Sequence, residues 1–160
     1  MVRITLICVG KLKERFYLAA AEEYTKRLRT LCRFELVELQ ETRLGDDPSP
    51  AQIDQALEKE AELILARLPR GGAVIPLCVE GRELSSPELA RAMERWAVQG
   101  GSSVTFVIGG SFGLHERVKQ AADFRLSMSP MTFPHHLARV MVLEQIYRAF
   151  QISAGTKYHK

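Results

Sequence analysis

The chain has 160 residues, 46% of them hydrophobic and 26% charged, with a formal net charge of +3 and a sequence pI near 8.9. Those fractions exclude a disordered or low-complexity chain, and the length fits one domain, 1–160, with room for a real core. The mild positive charge permits a nucleic-acid partner without demanding one. Cys8, Cys32 and Cys78 are odd in number, widely spaced and form no CxxC pair, so they suit a reducing, cytoplasmic compartment rather than a disulfide framework. No apolar run is long enough to span a bilayer, and Met1-Val2-Arg3-Ile4 leads straight into a strand-like run with no secretory signal.

In chain order, Ile4–Val9 is a short β-branched run ended by Gly10 and reads as a buried strand. Glu14–Leu28 has a helical pattern. Between Lys11 and Arg33 seven Lys and Arg stand against Glu14, Glu22 and Glu23, either a solvated helix face or a patch for phosphates. Phe34–Leu39 alternates apolar and polar and reads as a half-buried strand. Thr42–Pro50 is a Gly/Asp/Pro/Ser loop, with Ser49 placed to cap a helix that has Pro50 at its first position. In that helix Ile53, Leu57, Ala61, Ile64, Leu65 and Leu68 recur at helical spacing until Pro69-Arg70-Gly71-Gly72 stops it.

Strands and helices then alternate. Ala73–Val79 is a strand, Ser86-Pro87 opens a helix to about Val98, and Ser103–Ile108 is a strongly β-prone strand. Gly109-Gly110-Ser111-Phe112-Gly113 forms a tight turn, Leu114–Ala122 a helix and Phe124–Met128 a short strand. Pro134 starts a terminal helix to about Ile152, and Ala154–Lys160 is a polar tail. This order implies an α/β fold: a mostly parallel sheet with helices on both faces. The terminal helix is apolar at nearly every azimuth, which calls for burial all round. A second protomer is the simplest cover, so a homodimer is expected ahead of the alternative, a central helix in a monomer.

Three segments could carry chemistry. The Gly109–Gly113 turn follows a strand, where glycines let backbone approach a ligand, although it is neither a GxGxxG fingerprint nor a P-loop. Ser127-Met128-Ser129-Pro130-Met131-Thr132-Phe133-Pro134-His135-His136 is a proline-stiffened loop with three hydroxyls, and Thr132 is a candidate cap for the helix after it. The ending Lys157-Tyr158-His159-Lys160 offers a stacking ring, a titratable group and cations suited to an RNA base and phosphate. His135 and His136 point about 100° apart on a helix and have no HExxH or Cys/His cluster beside them, so no metal site is expected.

Several segments together resemble the ribosomal RNA large-subunit methyltransferase H family, a minimal SPOUT methyltransferase. They are Val9-Gly10-Lys11, Glu94-Arg95-Trp96, Phe106–Gly110, the loop Leu126–His135, the helix from Arg139-Val140 through Glu144, Tyr147 and Arg148, and the ending Tyr158-His159-Lys160. The resemblance runs essentially end to end. It implies an α/β fold whose C-terminal part is tied in a trefoil knot, an exception to the avoidance of threaded loops. It also implies an S-adenosylmethionine-dependent homodimer that methylates N3 of a pseudouridine in large-subunit rRNA on assembled ribosomes.

By the same resemblance, Leu77, Gly109, Ser129, Pro130, Met131, Thr132, Phe133 and Pro134 hold the cofactor. Tyr158 and His159 reach the partner's pocket as catalytic residues, with His159 a first candidate to accept the N3 proton. Arg139 and Arg148 are candidates for contacts to RNA or to the cofactor carboxylate, and Lys160 for RNA, unless Arg148 is taken by Glu144 at i,i+4. Family members often carry Pro where Lys157 stands and end in Arg where Lys160 stands. The rival expectations are a SPOUT enzyme acting on another RNA, such as a transfer-RNA ribose, and a non-catalytic ribosome-binding dimer.

Overall fold

In the first strand, β1 (Arg3–Val9), every residue after Arg3 is buried. Ile4, Leu6 and Cys8 enter one core while Ile7 and Val9 enter another, so the strand is covered on both faces. The structure, a computed structural model, describes all residues from Met1 to Lys160. After β1 come α1 (Arg15–Leu28), β2 (Arg33–Leu39), α2 (Pro50–Arg67), β3 (Ala73–Glu83), α3 (Ser86–Gln99), β4 (Ser103–Ile108), α4 (Glu116–Gln120), β5 (Leu126–Ser127) and α5 (His135–Ser153). The five strands form one sheet in the order β2-β1-β4-β3-β5, and every strand pair is parallel.

The larger core lies between one face of the sheet and α1, α3 and α5, with Leu28, Met93, Trp96, Leu143 and Ile146 packed on Ile4, Ile75, Val104 and Phe106. The smaller core lies on the opposite face, where Ala61 and Ile64 of α2 and Val118 of α4 meet Ile7, Val74 and Val107. The expected α/β fold with helices on both faces is what the chain adopts, and its sheet is wholly parallel.

Three elements differ from the sequence reading. Helix α4 begins at Glu116 rather than Leu114, because His115 sits outside the helix and its Nδ1 accepts from the Arg117 amide at 3.1 Å. Strand β3 runs on to Glu83, because its register shifts between Leu77 and Arg82 and the chain beyond pairs with β5. At that irregularity a side chain on Gly81 would meet Arg125 O at 2.6 Å. Strand β5 is only Leu126–Ser127. The preceding segment is pinned elsewhere: Asp123 Oδ2 accepts from the Val74 amide at 2.7 Å and the Asp123 amide donates to Val74 O at 2.9 Å. The expected capping by Thr132 is also absent: α5 has Pro134 at its N-cap and no side-chain cap bond.

Within one chain, α5 fully buries Arg139, Val142, Leu143, Ile146 and Ala149, while its other residues from His135 to Ile152 are half-buried. Its packing against α1 and α3 therefore buries one stripe fully and leaves the rest of the helix half-covered. No helix of the chain is long and apolar enough to cross a membrane.

Candidate active site

The carboxyl ends of β3 and β4 open into a pocket of about 720 Å³, closed on its other side by the loop between β5 and α5. Ligands in parallel α/β sheets bind at this end of the strands, and the volume is that of a small-molecule site. Leu77, Ile108, Met128 and Phe133 supply apolar wall, and the turn from Gly109 to Gly113 supplies backbone. That turn cannot carry a side chain at its start: a Cβ on Gly109 would lie 2.3 Å from Gly113 O. The opposing loop is held by one bond to β3 and two within itself. Ser127 Oγ lies 2.9 Å from Val79 O and 3.2 Å from Ser129 O, and the Met131 amide donates to Ser129 Oγ at 3.0 Å.

A second cleft, of about 910 Å³, adjoins the first and shares Ser111, Phe112 and His135 with it. Its walls come from the turn after β1, the loop after β2 and the start of α5. Glu41 ties the clefts together: its Oε1 accepts from the Ser111 amide at 3.1 Å and from Ser111 Oγ at 3.0 Å. His135 Nε2 is buried and has no hydrogen-bond partner. Burial, then the neighbouring His136, holds its pKa below the usual 6.5, although Glu41 pulls the other way. Burial also raises the Glu60 carboxyl above its ordinary value, against the Thr42 amide that donates to it at 2.9 Å.

The tail folds back on α5. Tyr158 donates its hydroxyl to Glu144 Oε1 at 3.0 Å, its ring meets Tyr147 edge-on at 4.9 Å between centroids, and the Arg148 guanidinium lies 4.8 Å over it. Burial and the bond to Glu144 push the phenol pKa up to about 12. Arg148 pairs with Glu144 at 2.8 Å and approaches His159 Nδ1 at 3.2 Å.

The family model described as predicted SPOUT methyltransferase matches residues 2–159. A ribosomal RNA large subunit methyltransferase H from Acetivibrio thermocellus is 44% identical over 159 residues, covering 99% of this chain and all of that protein. The H 1 enzyme of that name from Clostridium perfringens is 45% identical over the same span, with the same coverage. The chain belongs to the ribosomal RNA large subunit methyltransferase H family of SPOUT methyltransferases. A solved structure from Legionella pneumophila, described as a methyltransferase in complex with bound SAM, shares the fold. Its TM-score is 0.51 at 12% identity, over 95% of this chain and 66% of that one.

The fold of this SPOUT methyltransferase brings the residues expected around a cofactor to one place. Leu77, Gly109, Ser129, Met131, Thr132, Phe133 and Pro134 all line the first pocket, and Pro130 alone does not. Tyr158 and His159 line neither cleft of their own chain. Arg139 is a correction. Far from offering a face to RNA, its side chain is 1% exposed, bound to Glu38 Oε2 at 2.6 Å and to Gly10 O at 2.9 Å. It is the largest of the fully buried side chains and joins α5 to the ends of β1 and β2. Arg148 takes the i,i+4 pairing that the sequence offered as its structural role, while Lys160 is exposed. Sequence reasoning missed Glu41 and Glu38. Glu38 falls on a polar position of an alternating strand, and Glu41 just after it, and nothing local marks either as a partner for residues 70 and 101 positions away. No group of three or more His, Cys, Asp or Glu is gathered as for a metal.

Proposed function

We propose that the chain is a cytoplasmic, one-domain enzyme that methylates N3 of a pseudouridine in large-subunit rRNA. It acts on assembled ribosomes, as a homodimer whose C-terminal part is tied in a trefoil knot. The observation that carries this reading is the first pocket, built by the Gly109 turn and the 128–134 loop in a chain similar from end to end to ribosomal RNA methyltransferases. Its residues fit S-adenosylmethionine. Leu77, Ile108, Met128 and Phe133 suit the faces of an adenine ring, and the side-chain-free Gly109 turn leaves backbone groups open to polar edges. When bound, the cofactor supplies an electrophilic methyl group on a sulfonium.

What the chain's own residues contribute is exclusion of water, orientation and handling of one proton. Orientation alone can be worth roughly 7–11 kcal/mol of barrier. The N3 imide must lose its proton to become a good nucleophile, and His159 is the candidate acceptor. In the tautomer that accepts from Arg148 at Nδ1, its Nε2 already carries a hydrogen. His159 can therefore act as a base only after leaving Arg148. Because the tail lines neither cleft of its own chain, the reading has Tyr158 and His159 serve the pocket of the partner protomer. Lys160 would lie beside them as a phosphate contact. The half-buried flank of α5 favours such a partner. The position of β5 beyond β3, not beside β4, obliges the chain after β4 to cross an intervening strand, as a threaded C-terminal part requires.

The test is methyl transfer from radiolabelled S-adenosylmethionine to ribosomes lacking the modification, beside free subunits and transfer RNA. Label on a large-subunit pseudouridine in assembled ribosomes is the expected result. Label on transfer RNA would reassign the substrate, and cofactor binding with no transfer anywhere would overturn the enzymatic reading.

A further inference from the structure

The second cleft holds three carboxylates and three cations, and the two signs are placed differently. Glu38 is bound by Arg139, Glu60 accepts the Thr42 amide, and Glu41 spends Oε1 on Ser111. Lys11, Lys13 and Arg43 are exposed and make no ion pair, so their charge is free at the rim. Free cations along an open groove suit a phosphodiester chain. On the wall shared with the cofactor pocket, Phe112 leaves 50% of its surface exposed, which provides a stacking face for a base.

The floor between the two clefts adds polar complementarity. Glu41 Oε2 accepts no hydrogen bond, and His135 Nε2 is buried without a partner. Gly10 lies against both: a Cβ there would sit 3.4 Å from Glu41 Oε2 and 4.0 Å from His135 Nε2. A carboxylate oxygen that accepts and an imidazole nitrogen that donates match the adjacent N1–H and C2=O of a pseudouridine, the pair that leaves N3 unbound.

We infer that this cleft receives the target nucleotide: its base stacks on Phe112 with the N1–H and C2=O edge of the pseudouridine toward Glu41 and His135, which leaves N3 free to face the cofactor pocket, and the flanking phosphates lie on Lys11, Lys13 and Arg43. The assignment rests on the methyltransferase reading above and adds where that substrate sits and what reads it. The shared wall places such a base next to the cofactor pocket without occupying it.

The experiment compares the full-length wild type with the double variant Lys13→Ala/Arg43→Ala and with Glu41→Gln. Affinity for S-adenosylmethionine is measured by calorimetry, and steady-state transfer to unmodified ribosomes is measured across salt. The double variant is expected to keep cofactor affinity and raise the KM for ribosomes by about ten-fold. Its log–log salt slope should shrink by about 1.4–1.8, the value for two lost phosphate contacts. Glu41→Gln, which can still accept from Ser111, is expected to keep cofactor affinity and lose at least about ten-fold in kcat/KM, one such factor being about 1.4 kcal/mol. An unchanged KM and salt slope in the double variant would overturn the inference. So would a loss of cofactor affinity in Glu41→Gln matching its loss of transfer, since Glu41 would then only hold the Ser111 turn. If the wild type itself transfers no methyl group to RNA, the reading beneath the inference fails and the inference falls with it.

Discussion

Arg139 and Glu38 form an ion pair with one partner 1% exposed and the other 32% exposed. Removing one member of such a pair is costlier than the pair is worth, because the survivor keeps its charge without its counterion. Glu38→Ala leaves a buried guanidinium with Gly10 O as its one remaining hydrogen-bond partner. The expected loss is on the order of 3 kcal/mol, at the low end of the range for buried pairs because Glu38 is partly solvated. Urea unfolding at neutral pH measures it, and a loss under 1 kcal/mol would mean that water already screens the pair. His135 gives a second expectation, on pH. Burial, followed by His136, disfavours its proton in the folded chain, against a pull from Glu41 that outweighs the small further push from Arg139. The folded pKa therefore lies below 6.5 while the unfolded imidazole titrates near it. Below that pH the unfolded chain binds more protons, so the contribution of His135 falls as the pH drops through the window beneath 6.5. His135→Gln should flatten the dependence of the unfolding midpoint on pH across that window. An unaltered slope would place the linkage elsewhere.

Helices α2 and α3 start alike, and the start is written in the chain. Ser49 accepts from the Gln52 amide while Gln52 bonds back to the Ser49 amide, and Ser85 and Glu88 do the same. Each has Pro in its first turn. Ser85→Ala should cost about 1 kcal/mol, within the usual 0.5–2 for a lost cap, read as a lowered unfolding midpoint with cofactor affinity unchanged. Elements of this kind were legible because their causes are local: a cap, a proline, a continuous apolar run in β1 or β4. The end of β3, the start of β5 and the length of α4 were not. Asp123 binds Val74 across 49 positions, and the register shift at Leu77 depends on Arg125 and Leu126 lying alongside. A two-residue strand has no period to read. The residues expected around a cofactor came from family resemblance, and the local pattern supplied only that a glycine turn and a stiff loop stood at strand ends.

At the scale of the molecule, no local pattern says that β4 lies between β1 and β3, nor that Glu41 on one loop touches Ser111 on another. The apolar all-round character of α5 was legible, and within one chain it is only half satisfied. Beside it α1 leaves Phe16 66% and Leu18 37% exposed, further apolar surface that a second copy would cover. If the dimer also completes the active site, the pocket and the tail that serves it belong to different protomers, and two separately dead variants should rescue one another. Gly109→Ala breaks the pocket, because its Cβ has no room against Gly113 O, and leaves the tail intact. Tyr158→Ala/His159→Ala removes the tail and leaves the pocket intact. After unfolding and refolding together in equal amounts, half the dimers are mixed, and each mixed dimer holds one pocket and one tail that are both whole. Activity should recover to about a quarter of wild type, measured as methyl transfer to unmodified ribosomes. Recovery near that level requires the tail to act on its partner, while a mixture as inactive as its components would mean that each chain serves its own pocket.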